Sequence, residues 1–251
     1  MPLTKWDIAF LLCVTALQAV LVTVMLRRRL QKRSPLFFIY CCYSVTALPT
    51  LTVAALTLDY GVFFKVNFVC QLTYVALGLL AMNEAFNQVF SLYYSGRKWF
   101  RLLLPGVVLL VMAISMWKWF QHVPAKNETL WAAFLNFDLG GDYVRAAVFA
   151  LFGLLIFFWH PPLQPLPFAV MKGFGFYSIV GMLGELLRFD FGTRMNFFFA
   201  HAPPVAYIVA CLIWLGAFLA PEPEKQERGP GSLVNVAELR ELLERLTRAI
   251  R

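Results

Sequence analysis

Charge is scarce in this chain: Asp, Glu, Lys and Arg make up 14% of its 251 residues, against about 25% in an average soluble domain. Histidine is scarcer still, with three residues, His122, His160 and His201. His122 and His201 fall outside the spans and His160 at the inner end of the fifth, so they are not expected to face one another around a buried haem. The H-E-x-x-H pattern of zinc proteases is absent. Cys13, Cys41, Cys42, Cys70 and Cys211 show no C-x-x-C spacing and fall in apolar stretches, so they are expected as buried thiols without a disulfide framework or metal knot. No metal or cofactor is expected, and no catalytic motif points to an enzyme.

Apolar side chains are what the chain has instead. They account for 60% of positions, and the mean hydropathy is +0.68. A soluble helical domain would confine them to one face of each helix. Here they run all round, in seven stretches near 7–26, 36–58, 66–93, 102–120, 143–160, 168–188 and 203–220. About 20 apolar residues cross a hydrocarbon core as a helix. Lipid offers no partner to a free backbone N–H or C=O, so helices are expected throughout. The expected fold is all-α: a polytopic membrane protein with seven transmembrane helices and a short cytoplasmic amphipathic helix. Residues 1–220 form the seven-helix domain, 221–234 a polar linker, and 235–251 the tail helix.

The charges are sorted by side. Arg27, Arg28, Arg29, Lys32 and Arg33 occupy the first loop, Arg97, Lys98 and Arg101 the third, and Lys172 the fifth, with no acidic neighbour in those loops. On the other side Lys5, Lys65, Lys118, Lys126, Arg145, Arg188 and Arg194 are balanced by Asp7, Asp59, Glu128, Asp138, Asp142, Glu185 and Asp190. The positive-inside rule makes the basic side cytoplasmic, with the N-terminus outside and the C-terminus inside a plasma (inner) membrane. The formal charge of +8 therefore reports topology and anionic headgroups. Nucleic acid is not an expected partner. The first apolar run is followed by its cations and lacks a small-residue cleavage site, so it is expected to stay as a span.

Three sets of residues are candidates for function. Glu84 lies within the third span, and helical spacing groups Thr73, Glu84, Asn87, Gln88 and Ser91 on one face, with Asn83 about a right angle away. A carboxylate there is costly unless paired or hydrated, so this face is expected to look into the bundle as a polar network or a proton- or ligand-sensing site. Asp142, Arg145, Glu185, Arg188, Asp190 and Arg194 are expected as an outer charge cluster, read as interfacial ion pairs or as a mouth for a polar ligand. In the tail, Val236, Leu239, Leu243, Leu246 and Ile250 recur at helical spacing after a capping-box pattern at Asn235 and Glu238. That stripe is too short to stand alone in water. It is expected to bind a protein partner or a second copy.

Smaller features have structural readings. Pro49 is expected to kink the second helix, and Gly175, Ser178, Gly181 and Gly184 to permit close packing of the sixth. The segment from Gln121 to Asp142 reads as an outer loop with a turn at Gly140-Gly141-Asp142, and His160 to Pro167 as a stiff cytoplasmic spacer. No lysine stands in mid-membrane in the seventh span, which excludes a retinal Schiff base.

Over about residues 7–220 the chain resembles in plan the seven-helix sensor regions of bacterial histidine kinases and uncharacterised bacterial seven-helix membrane proteins. Locally, Tyr74-Val-Ala-Leu-Gly-Leu-Leu-Ala-Met-Asn-Glu84-Ala-Phe86-Asn-Gln-Val-Phe90 is similar to the Glu-bearing third helix of the latter group, with Asn83 where an aromatic residue is expected. The likeness implies an integral membrane sensor or receptor-like module. No kinase domain is expected after the tail, so any signal must leave through a partner there. A non-catalytic accessory subunit of a larger membrane complex is the alternative expectation, and a small transporter built around Glu84 a third.

Topology is directly testable. In a background lacking the native cysteines, an impermeant thiol reagent added from outside should label a cysteine near Asn127 and spare cysteines near Lys32, Lys98 and Gln164. Reversed labelling would refute the orientation.

Overall fold

The computed structural model describes residues 5–94, 100–121, 129–161, 164–191 and 196–220. Seven helices follow one another: α1 (Lys5–Arg27), α2 (Pro35–Thr57), α3 (Tyr60–Tyr94), α4 (Phe100–Gln121), α5 (Thr129–Trp159), α6 (Pro165–Phe191) and α7 (Asn196–Leu219). Six contain stretches long and apolar enough to cross a membrane: Ala9–Arg27, Pro35–Thr57, Gly61–Ser91, Gly140–Trp159, Pro165–Gly184 and His201–Leu219. In α4 the corresponding stretch among the described residues is shorter, Leu102–Ile114. At 1.5 Å per residue it reaches about 20 Å, less than a hydrocarbon core of about 30 Å.

The surface is that of a membrane protein. Leu56, Leu109 and Phe157 are 74%, 70% and 73% exposed, and apolar side chains bared on this scale suit lipid rather than water. Hydroxyl groups on these helices turn inward on their own backbones. Thr15 and Thr23 donate to the carbonyls of Leu11 and Ala19 at 2.8 Å, and Thr50 and Thr57 do the same one turn back on α2. Such bonds spare a polar group from facing hydrocarbon alone.

Helix α2 packs between α1 and α3, α3 also meets α5 and α6, and α5 lies between α4 and α6. Helix α7 joins through Tyr207, Cys211 and Trp214. The Trp214 indole is fully buried and seats on α6 at Gly173, where any Cβ would occupy its place, while its Nε1–H donates to the Val170 carbonyl at 3.3 Å. Around it Phe37, Tyr40, Phe174 and Phe218 form an aromatic core, with Phe37 5.1 Å and Phe174 5.0 Å from the indole between ring centres. Two residues further along α6, Gly175 receives the Phe149 ring of α5. Gly181 and the buried Ser178 continue that side, with Asp142 Oδ2 2.6 Å from where a Gly181 Cβ would stand. The small-residue stripe is thus a packing groove, although nothing lies near Gly184.

Several boundaries differ from the sequence reading. Helix α5 begins at Thr129, so Gly140-Gly141-Asp142 is helical rather than a turn. Both glycines are buried, and Val75 of α3 lies 3.1 Å from where a Gly141 Cβ would stand. Their small size serves close helix approach, which overrides their turn preference. Helices α3 and α7 also start earlier than expected, at Tyr60 and Asn196. Pro165 and Pro167 belong to the first turn of α6 instead of a spacer, because a first turn needs no backbone donors. Not all the thiols are buried: Cys41 and Cys211 are, Cys42 and Cys70 are half-buried, and Cys13 is exposed on the outward side of α1. Pro49 does lie inside α2. Met1–Phe218 forms one compact unit; of Leu219–Arg251, the second, only Leu219 and Ala220 are among the described residues. The linker and the tail helix lie outside them.

Gly173 and Gly184 offer a paired test. Gly173→Val should force the Trp214 indole off α6 and destabilise the bundle by about 1 to 3 kcal/mol, whereas Gly184→Ala should be neutral or stabilising. Thermal unfolding in mild detergent would check both.

Candidate functional site

At the basic end of the bundle, Glu84 closes the start of another helix. The chain leaves α1 through Arg29, in a left-handed conformation with φ 55°, makes a short 3-10 turn over Leu30–Lys32 that buries Leu30, and enters α2 at Ser34-Pro35. Ser34 stands where a capping hydroxyl is usual, yet its side chain makes no capping bond. Pro35 has no N–H, and the Phe38 N–H bonds to the Ser34 carbonyl at 3.0 Å. The amides of Leu36 and Phe37 remain. Both donate to Glu84 Oε2 at 3.0 Å. One turn further along α3, Gln88 Nε2 donates to the Arg33 carbonyl at 2.6 Å and to Ser34 Oγ at 3.4 Å. A carboxylate at a helix N-terminus also meets the positive end of the helix dipole. Glu84 and Gln88 therefore clamp the α1–α2 connection to α3.

The other members of the expected polar face do not join this clamp. Thr73 donates to the Val69 carbonyl at 2.9 Å, more than two turns away, and Ser91 to the Gln88 carbonyl at 3.4 Å. Asn83 is half-buried, and Asn87 is exposed. The face does not turn wholly inward, because it reaches the level of the basic connection. Beyond it the helix departs from ideal geometry at Phe90, with φ −101° and ψ 15°.

Deeper in the bundle, four helices contribute to a hydrogen-bonded cluster that the sequence reading missed. Gln18 of α1 is fully buried and donates through Nε2 to the Tyr207 hydroxyl of α7 at 2.7 Å and to Cys211 Sγ at 3.2 Å. Tyr207 meets the Tyr40 hydroxyl of α2 at 3.1 Å and Ser44 Oγ at 3.4 Å. Tyr40 donates to the Tyr74 hydroxyl of α3 at 2.5 Å. Ser44 also donates to the Tyr40 carbonyl at 3.0 Å. Tyrosine counts as apolar in a hydropathy reading, which hid this cluster. The signal present was position: aromatic belts favour the membrane interfaces, whereas Tyr40, Tyr74 and Tyr207 fall well inside their spans.

Ser44, Tyr74 and Tyr207 of this cluster also line a pocket of about 390 Å³. Phe10, Leu11 and Val14 wall it from α1, Ala47, Leu48 and Leu51 from α2, and Pro203 and Pro204 from α7. Tyr43, Ser44, Cys70, Gln71, Tyr74, Tyr177, His201 and Tyr207 supply its polar atoms. Tyr43 is already engaged, donating to the Cys70 carbonyl at 3.0 Å. No Asp, Glu, Lys or Arg appears among the described residues that line it. An apolar enclosure of this size with a few convergent polar groups has the form of a small-molecule site.

Beside the pocket lies a buried ion pair. Arg145 is 3% exposed and donates through its guanidinium to Asp142, three residues earlier on α5. Its guanidinium also lies over the Tyr177 ring, 5.5 Å from the centre. These two members of the expected outer charge cluster are enclosed between α5 and α6, where Gly181 makes room for the carboxylate. They are not a loose interfacial pair. The side chains of Glu185, Arg188 and Asp190, and Arg194 itself, lie outside the described residues, as do Val236, Leu239, Leu243, Leu246 and Ile250.

Removing the clamp should cost stability in a graded way. Glu84→Leu leaves the amides of Leu36 and Phe37 without their acceptor and should destabilise by about 1 to 3 kcal/mol. Glu84→Gln retains an acceptor oxygen and should lose less. Detergent melting curves should rank parent above Gln above Leu; a Leu variant that melts with the parent would refute the capping role.

No protein family, curated protein or solved structure matches the chain.

Proposed function

We propose that the protein is a seven-span membrane sensor that takes a small apolar ligand into the pocket between α1, α2, α3, α6 and α7. The single observation that carries this reading is the pocket itself, apolar in its walls and lined in part by the hydrogen-bonded cluster. In this reading the N-terminus and the pocket face the outer half of the membrane, the basic loops face the cytoplasm, and α4 completes the seventh crossing.

The route for a signal follows from shared helices. Helices α2 and α3 both line the pocket, through Ser44 and Ala47 on one and Gln71 and Tyr74 on the other. The same two helices are joined at their far ends by Glu84 and the amides of Leu36 and Phe37. A ligand that separates or rotates α2 against α3 must work against that clamp and the basic connection it holds. A partner at the tail residues Val236–Ile250 then receives the shift. A ligand biases such an equilibrium only through different affinity for the two arrangements.

Filling the pocket tests this. Ala47→Trp should preserve helical content by circular dichroism and abolish thermal stabilisation by a small apolar probe, 2-nonanone. In the unfilled protein the same probe should change the labelling rate of a cysteine placed at Lys32. Stabilisation retained in Ala47→Trp would put binding elsewhere, and an unchanged labelling rate would separate the pocket from any output.

A further inference from the structure

We infer that the pocket selects an uncharged ligand carrying a hydrogen-bond-accepting carbonyl, such as a ketone, quinone or ester, and grips that oxygen with the Tyr74 hydroxyl. The inference rests on the ligand-binding reading of the pocket and narrows it to a chemical class.

The argument is a count of protons. A tyrosine hydroxyl has one hydrogen to give and lone pairs to receive. Tyr40 spends its hydrogen on Tyr74. Ser44 likewise spends its hydrogen on the Tyr40 carbonyl, so Tyr207 is the donor available to both, and it gives its one hydrogen to the nearer, Tyr40 at 3.1 Å against Ser44 at 3.4 Å. Tyr207 in turn receives from Gln18, whose amide can only donate through Nε2. The bonds thus run one way, from Gln18 to Tyr207 to Tyr40 to Tyr74. At the end of the chain the Tyr74 hydroxyl has accepted a hydrogen, and none of the hydrogen bonds among the described residues spends its own, with the Tyr207 hydroxyl as its other near neighbour. Tyr74 is one of the residues that line the pocket.

Two further features sharpen the choice. A hydroxyl that already accepts within a chain of bonds is polarised and becomes a stronger donor. A donor held in apolar surroundings discriminates against ligands that leave it unpaired. Tyr43, another phenol in the lining, gives its hydrogen to the Cys70 carbonyl and has none to offer. The walls of Val14, Leu48, Leu51 and Pro204 bring no formal charge, so a carboxylate, phosphate or ammonium group would lose its hydration without a counter-ion there. These features favour an apolar body with a neutral acceptor, with Gln71 and His201 as further polar residues in the lining.

The experiment compares 2-nonanone with nonane and nonylammonium in lipid nanodiscs, reading the concentration of each that gives half-maximal thermal stabilisation. The ratio between ketone and alkane in the parent and in Tyr74→Phe is the decisive quantity, since partitioning into lipid is common to both proteins. The parent should prefer the ketone by about tenfold, the equivalent of one net hydrogen bond, and should ignore nonylammonium. Tyr74→Phe should lose the preference while still binding nonane, and Tyr43→Phe should keep it. Should Tyr74→Phe fail to fold, the carbonyl stretch of 13C-labelled 2-nonanone bound to the parent decides: a shift below its frequency in alkane supports the bond, and an unshifted band overturns it. Equal potency of ketone and alkane in the parent would mean that water serves the hydroxyl, and would overturn the inference while leaving the pocket reading intact. A preference that survives Tyr74→Phe, one lost in Tyr43→Phe, or stabilisation by nonylammonium would overturn it as well. If no probe stabilises a correctly folded parent, the pocket reading falls with it.

Discussion

A bilayer supplies no hydrogen bonds, so a polar group drawn into this bundle is costly unless another part of the chain partners it. That constraint explains the unusual partners. The first turn of α2 lacks both a proline N–H and a capping serine bond, and the two amides left over are served by a glutamate from α3. Gln18, which would be costly alone in α1, is bonded to α7 through Tyr207 and Cys211. Arg145 carries its counter-charge on the next helical turn and stacks on a ring of α6. Each solution ties one helix to another, so satisfying the polar groups also fixes which helices are neighbours.

The helices were legible in the sequence because hydrophobic length is a strong signal, and Glu84 was legible because a carboxylate in a span demands an explanation. Its partner was not. Backbone amides carry no sequence signature. Gly140-Gly141 misled in the opposite direction, since the same smallness that permits a turn permits Val75 to approach a continuous helix. Tyr40, Tyr74 and Tyr207 escaped notice because hydropathy scores their rings and not their hydroxyl groups. A search for phenols far from the interfaces, together with Gln18 in the middle of the first span, would have pointed to the cluster.

Pocket and clamp divide α2 and α3 between them. Near the middle of the bundle the contacts between these helices are rings and hydroxyl groups, with Tyr40 and Tyr74 5.0 Å apart between ring centres. At the basic end they are charge-assisted bonds to backbone. The first kind of contact adapts to what lies against it, and the second holds a geometry. A helix pair gripped firmly at one end and more softly at the other is suited to pivot rather than slide.

Helix α6 is grooved on two sides, at Gly173 toward α7 and at Gly175 toward α5. One groove can be filled as soon as α6 enters the membrane, because α5 precedes it in the chain. The other waits for Trp214, which arrives with α7, and so does the Tyr207 hydroxyl that links Gln18 to Tyr40. During synthesis from the N-terminus, the nascent chain therefore carries an open, half-built bundle until α7 leaves the ribosome. The pocket between α1, α2, α3, α6 and α7 is closed only when α7 takes its place.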